Sequence, residues 1–463
     1  MPAKPRAMAA FAPGGFRMKR IVAIAAAGIV LCTGIGAARA LFGDASPHSV
    51  LTGAAAFASY ETEKPGVFRK ITVADLPAPF ATKSVANMAR IVPRPSDAWP
   101  QTLPGFQVQA YASGFDNVRA IRMAPNGDVF LAESEPGRIM VLHGATSDGK
   151  AESTNLFASG LHRPFGIAFY PAGPNPQYVY VGNTDSVVRF PYQNGDVKAR
   201  GNAETVVKSL PSGDEATGGG GHWTRDVVFS RDGKKMLVSV GSRSNVAEGT
   251  MDDPQENDRA DVLEFNPDGF GMRVYAYGIR NCVGEAIQPE TGDLWCSTNE
   301  RDGLGDNLPP DYITRVQEGG FYGWPWYYMG DHQDPRHPGQ HPELRSKVIV
   351  PDVLLQPHNA SLEMLFYEGS QFPPEYHGNI FASEHGSWNK RLRTGYEVIR
   401  VPVDHGRATG EYEDFLTGFV TADGHVWGRP VGIAVAQDGS LLVSDDGSNT
   451  VWRVSYVGDS GKR

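Results

Sequence analysis

One phrase recurs along this chain and constrains its fold more than any other feature. An alternating apolar strand runs into a polar turn containing Gly, and a second alternating strand follows. The first copy is Ala120-Ile121-Arg122-Met123, a turn through Asn126-Gly127, then Val129-Phe130-Leu131, with Ile139-Met140-Val141-Leu142 after it. Further copies start at Phe165-Gly166-Ile167-Ala168-Phe169, at Asp226-Val227-Val228-Phe229, at Val283 to Ile287, and at Val431-Gly432-Ile433-Ala434-Val435. A looser copy runs Leu362 to Phe366 and, after an insert, Asn379-Ile380-Phe381-Ala382. Period-two alternation broken by Asn-Gly or Asp-Gly is a hairpin signal. Its recurrence at intervals of roughly 45 to 80 residues predicts a radial repeat with inserts between units. Amphipathic helices do not alternate with the strands, which excludes a TIM barrel or a Rossmann fold. The expected fold is therefore all-β, a six-bladed β-propeller over residues 105–463. The strand-like stretch Gly105 to Gly114 precedes the first copy. It can pair with the last blade and close the ring, which removes an exposed edge.

Residues before the repeat read differently. Lys19-Arg20, the apolar run Ile21 to Gly36 and Ala38-Arg39-Ala40 form the basic, apolar and small-residue parts of a secretory signal, here residues 1–40. The apolar run is shorter than the ~20 residues a membrane span needs, so a membrane association is expected only if the signal is left uncleaved. The mature chain is expected near Leu41, in a periplasmic or secreted setting, and residues 41–104 read as a leader and linker. Three cysteines are present, and Cys32 leaves with the signal. Cys282 and Cys296 flank one hairpin and either pair or stay reduced. The formal net charge is −9 with no basic stripe, which argues against nucleic acid as a partner.

In a propeller, function sits in the loops around one mouth of the channel. The residues that open each inner strand are repeatedly polar or cationic: His162-Arg163, His222-Trp223-Thr224-Arg225 behind Gly218-Gly219-Gly220, Arg280-Asn281, and Arg429. Single arginines at strand starts are ordinary surface residues, but recurrence at equivalent places suits a polyanionic ligand, because Arg grips carboxylates in a fork. The loop Thr298 to Asn307 is dense in oxygen donors and Gly. It reads either as a hard-cation site or as an Asx-rich turn network. The aromatic cluster Phe321 to Tyr328 reads either as a stacking wall or as packing between blades.

Three phrases, Gly278-Ile279-Arg280-Asn281, Asn299-Glu300-Arg301-Asp302-Gly303-Leu304-Gly305-Asp306 and Gly319-Gly320-Phe321-Tyr322-Gly323-Trp324-Pro325, resemble the soluble sugar dehydrogenases that use pyrroloquinoline quinone (PQQ). This is the glucose/aldose and sorbosone dehydrogenase group, and His385-Gly386-Ser387-Trp388-Asn389-Lys390 resembles its sorbosone-type branch. The resemblance covers about Gly105 to Tyr456. It implies a propeller with PQQ over the channel mouth, a Ca²⁺ ion bridging PQQ to the protein, and a His as general base. Carried over by motif, His222 is that base, and Arg280 and Asn281 contact the cofactor. The backbone carbonyls of Arg301 and Asp302 hold the calcium, Arg429 touches the quinone, and His162 makes a polar contact. Lys390, Arg391 and Arg393 compete for the place of the family's fifth-blade lysine, and Arg393 is taken as the contact. Cys282 and Trp223 depart from the glucose-type pattern, which leaves the substrate open. The implied chemistry is oxidation of a sugar, alcohol or aldehyde, with electrons passed to an external quinone or cytochrome. The competing readings are a calcium-dependent hydrolase of lactonase type and a non-catalytic propeller that binds carbohydrate or protein. No Gly-x-Ser-x-Gly elbow and no dinucleotide fingerprint is present, which argues against an α/β-hydrolase and against NAD.

Overall fold

A computed structural model of the chain describes residues 48–144, 146, 149–212, 221–247 and 256–458. The expected signal, the start near Leu41 and the run Gly218-Gly219-Gly220 lie outside the described residues. Almost all regular structure is strand, arranged in radial antiparallel sheets. Five sheets are four-stranded blades. The first runs outward through Val118–Met123, Val129–Glu133, Arg138–His143 and Ser153–Ser159. The second, third and fourth begin with the inner strands Ile167–Tyr170, Val227–Phe229 and Cys282–Ile287. The last blade is Pro430–Val435, Leu441–Asp445 and Thr450–Tyr456, completed by Phe106–Ser113. That N-terminal strand pairs along the whole of Thr450–Tyr456, so the ring is closed by the two ends of the repeat, as expected.

The propeller arrangement is observed, but the expectation of six blades is corrected: five four-stranded blades are formed. The looser fifth copy lies in a seven-stranded sheet. Its path through Ser361–Phe366, Ile380–Glu384, Glu397–Val401 and Tyr412–Thr417 continues into Phe68–Arg69 and Val50–Leu51, while Gln101–Thr102 also pairs with Tyr412–Thr417. Residues 49–104 thus add strands to a propeller sheet, and Ser49–Arg463 packs as one compact unit. Arg69 is fully buried and grips the equally buried Asp414 with Nε and Nη2 at 3.2 and 2.8 Å. Glu63 accepts bonds from the Thr394 hydroxyl and the Gly395 amide.

Blades meet face to face, so many strands are buried on both sides and read as continuous apolar runs. Near the axis the inner strands come closer than side chains allow. A Cβ at Gly166 would lie 2.6 Å from the Arg225 carbonyl, one at Gly284 2.6 Å from Glu363 Cα, and one at Gly432 2.6 Å from the Arg119 carbonyl. Three repeats therefore carry Gly at one place because the next inner strand passes there. Arg122 crosses the axis, with Nη1 on Glu363 at 2.6 Å and Nη2 on both oxygens of Asp226. Burial pushes the Glu363 carboxyl up to about 7 despite Arg122. Cys282 and Cys296 are joined, with Cα atoms 5.8 Å apart.

Candidate active site

His222 opens the third inner strand, and Ser242 holds it twice. The His222 amide donates to the Ser242 carbonyl at 3.0 Å, and Nδ1 lies 2.8 Å from that carbonyl and 3.1 Å from Ser242 Oγ. The Ser242 hydroxyl donates to the Ser244 carbonyl at 2.7 Å, so both Ser242 oxygens accept from the ring. Nδ1 therefore carries the proton and Nε2 keeps a lone pair. Burial, and next the charge of Arg280, hold the His222 pKa well below the usual imidazole range, so the ring is neutral at pH 7.

The strand start of the fourth blade lies beside it. The Ser242 amide donates to the Arg280 carbonyl at 2.8 Å. A Cβ on Gly241 would overlap both Asn281 Oδ1 and the His222 side chain, so only Gly allows these two groups to be neighbours. Asn281 Nδ2 donates to Asn299 Oδ1 at 3.3 Å, while its buried Oδ1 has no hydrogen-bond partner. The Arg280 guanidinium donates to the Glu300 carbonyl at 2.6 Å and to Asn245 at 3.1 Å, and lies 3.6 Å from the Asp302 carboxylate. The Arg301 side chain is buried against Asp334 at 3.2 Å, so only its main chain is available to the site. Among the described residues no group of three or more His, Cys, Asp or Glu is placed to hold a metal. A cation at this loop would rest on backbone carbonyls, and the Asp302 carbonyl accepts one N–H from Asn245 at 3.0 Å, which leaves it one lone pair.

A second cationic group faces the mouth from the last blade. Arg429 Nε donates to Asp446 Oδ1 at 3.0 Å, and the same carboxylate takes Arg119 Nη1 and His385 Nε2. Burial would raise the Asp446 carboxyl, but His385 and Arg119 outweigh it and hold it far below the carboxylate range. Burial lowers His385 to about 4. Trp223 ties the two groups together: it follows His222 in the chain, with the Arg163 and Arg119 guanidinium carbons 4.3 and 5.5 Å from its ring centroid.

His222, Arg280, Asn281 and Asp302 are thus brought together, and Arg429 reaches them through Arg119 and Trp223. His162 sits at the adjacent strand start, with Nδ1 on Asp185 at 2.8 Å. Arg393 is not in this group, which corrects its expected role. Its guanidinium donates to the Gly424 carbonyl at 2.8 Å, to the Asn87 carbonyl at 2.7 Å and to the Met88 carbonyl at 3.1 Å, and so clamps the N-terminal segment. Lys390, three residues earlier, faces the carboxylates of Glu63 and Asp306. It is buried, its Nζ has no hydrogen-bond partner, and burial lowers it to about 8. Its neighbour Asn389 donates to Asp302 Oδ1.

The aromatic cluster is packing. Phe321 stacks on Tyr277 at 4.9 Å, and the buried Tyr322 hydroxyl donates to the Arg315 carbonyl at 2.6 Å. Trp324 alone reaches the site, with its indole N–H on the Asn245 carbonyl at 2.9 Å. Sequence reasoning missed Arg119, Asn245, His385 as a site residue, and Asp446. Arg119 obeys the rule that found Arg280 and Arg429, a cation opening an inner strand. Asn245 carried no signal, because it lies in an ordinary polar loop.

A family model described as glucose / sorbosone dehydrogenase matches residues 115–450. An uncharacterised protein of Borreliella burgdorferi is 28% identical over 76% of this chain and 89% of its own length. A pyrroloquinoline quinone-dependent pyranose dehydrogenase of Coprinopsis cinerea is 25% identical over 76% of this chain, which spans only 54% of that relative. Among solved structures, the holo PQQ domain of the Coprinopsis cinerea pyranose dehydrogenase has TM-score 0.65 at 23% identity, covering 78% of this chain and 98% of that one. The soluble aldose sugar dehydrogenase of Escherichia coli in its apo-form has TM-score 0.56 at 19% identity, covering 76% and 99%. At these identities the structures establish the shared fold.

Proposed function

Because the chain belongs to the glucose/sorbosone dehydrogenase family, we propose that it is a PQQ-dependent, calcium-requiring oxidoreductase acting on a sugar or related alcohol or aldehyde. One observation carries this reading. Arg280 acts on a neutral His222 whose Nε2 lone pair remains for a substrate hydroxyl, and Arg119, which shares Asp446 with Arg429, lies against Trp223, the next residue in the chain. A tricarboxylate quinone matches such a cationic mouth, since guanidinium groups pair with carboxylates in a planar fork.

PQQ, when bound, supplies the two-electron redox chemistry. The chain's own groups do the rest. Arg280 and Arg429 neutralise and orient the cofactor's anionic groups, and Asn281 offers it an amide. The carbonyls of Arg301 and Asp302 would hold the calcium. His222 Nε2 takes the proton from the substrate hydroxyl, and Ser242 keeps the ring in the tautomer that can do so. An anion beside Arg280 offsets the charge that depresses His222, so cofactor binding strengthens the base. His162 would make a polar contact to the cofactor from the second blade. In this reading the seven-stranded sheet is the sixth blade, enlarged by N-terminal strands. An external quinone or cytochrome then receives the electrons.

The direct test is titration of the apoprotein with PQQ and Ca²⁺. Arg280→Ala and Arg429→Ala are each expected to weaken PQQ binding by about 10-fold or more, as charge-assisted bonds contribute ~1.5–3 kcal/mol. EDTA is expected to release the cofactor. Unchanged affinity in both variants and in EDTA would place the site elsewhere.

The reading also requires export, because the signal at residues 1–40 puts the mature start near Leu41. N-terminal sequencing of the exported protein is expected to begin there. An intact Met1 or Met18 on that protein would mean a retained anchor.

A further inference from the structure

We infer that Asn245 is a positioning residue that sets the anion-binding face of Arg280 and the cation-facing carbonyl of Asp302 as one unit. The inference rests on the PQQ and calcium reading above and names a residue that reading does not contain.

Asn245 lies in the loop after the second strand of the third blade, and its side chain meets the fourth-blade loop as a strand partner would. Oδ1 accepts from the Asp302 amide at 2.8 Å, and Nδ2 donates to the Asp302 carbonyl at 3.0 Å. This pair of bonds fixes the two peptide groups that flank Asp302, and with them the directions of the Arg301 and Asp302 carbonyls. The same Oδ1 accepts from Arg280 Nη2 at 3.1 Å, and the Asn245 carbonyl accepts from Arg280 Nε at 3.1 Å. The Trp324 indole braces that carbonyl at 2.9 Å. A guanidinium has five N–H groups. Asn245 takes one from Nε and one from Nη2, and the Glu300 carbonyl takes one from Nη1. One N–H therefore remains on each Nη for an anion, and the Asp302 carboxylate, 3.6 Å from Nη2, is outside hydrogen-bond reach of it. Asn245 thus decides which edge of Arg280 is presented, and it couples that edge to the carbonyl loop. Leu, Ala or Ser at 245 could not make this set, because it requires an acceptor and a donor on one planar group.

The test uses the apoprotein, with PQQ and Ca²⁺ titrated separately and thermal melting recorded for each variant. Asn245→Ala is expected to weaken PQQ binding about 10-fold and to raise the half-saturating Ca²⁺ concentration by a similar factor. In an Arg280→Ala background, Asn245→Ala is expected to add little to the loss of PQQ affinity, since it acts through Arg280, but still to raise the Ca²⁺ requirement. Additive losses of PQQ affinity, or titrations unchanged by Asn245→Ala, overturn the inference. If the Ala variant does not fold, Asn245→Gln reads the same quantity, because it keeps the amide and moves it by one methylene. A loss of about threefold or more in PQQ affinity at wild-type melting temperature supports the inference, and wild-type titrations overturn it. Failure of the wild-type protein to bind PQQ is a different result, which sinks the functional reading itself.

Discussion

His222→Ala is expected to leave the fold and PQQ affinity unchanged while slowing substrate oxidation by about 10²- to 10⁴-fold, the usual cost of removing a positioned base. The geometry leaves this ring little else to do. Its Nδ1 hydrogen is committed to Ser242, and it is held beside Asn281 across Gly241. Burial and the Arg280 charge both disfavour the imidazolium, so the base form is populated at neutral pH. None of these contacts belongs to the β-ladders, so the variant should melt like the wild-type protein. Rapid mixing of cofactor-loaded protein with substrate reads the oxidation step directly, and a dye acceptor reads the later electron transfer, which should change little. A variant that oxidises substrate at the wild-type rate would remove His222 from the reaction and leave the cationic mouth without its base.

Arg69→Ala is expected to destabilise the protein by about 3–5 kcal/mol, the cost of stranding one partner of a buried ion pair. Arg69 and Asp414 have no exposed side-chain surface, and their contact is two-pronged. Asp414 also lies in acidic company. Burial, and next the charge of Asp414, push Glu63 up to about 8, and burial raises Glu384 to about 8. Arg69 is the charge that makes this packing tolerable. The sign of the accompanying pH effect follows from these raised values. The folded state binds more protons than the unfolded chain between the ordinary carboxylate range and about pH 8, so stability falls as pH rises through that window. In Arg69→Ala the fall should be steeper, and Asp414→Asn added to it should recover part of the loss. Denaturant unfolding at pH 5 and pH 8 measures both effects. A loss under about 1 kcal/mol would mean that the N-terminal strands are dispensable to the propeller.

Much of the architecture was legible because it is local. A period-two pattern ended by Asn-Gly or Asp-Gly marks a hairpin wherever it occurs. The inner-strand glycines at 166, 284 and 432 recur in register with it. The closing strand before the first repeat had the right pattern and nowhere else to pair. The cations that open inner strands were legible for the same reason, and that rule extends to Arg119. The seven-stranded sheet was not legible. Its added strands are two residues long, too short to show a period, and the ion pair that anchors them joins residues 345 apart in the chain.

The functional site divides along the same line. The sequence alone determined which loops reach the mouth, and it marked His222, Arg280, Asn281 and Arg429 as residues there, because each stands at a fixed offset from a readable strand. The fold, not the sequence, separates the surroundings of Lys390 from those of Arg393. They are three residues apart in one irregular loop, where no period says which way a side chain points, and the carbonyls of Asn87, Met88 and Gly424 claim Arg393. It also decided the tautomer of His222 and the role of Asn245. Both depend on donors and acceptors brought together from separate segments, Ser242 for the first and Arg280 and Asp302 for the second. Hydrogen-bond partners across blades are set by how the sheets pack, and strand periodicity carries no record of that.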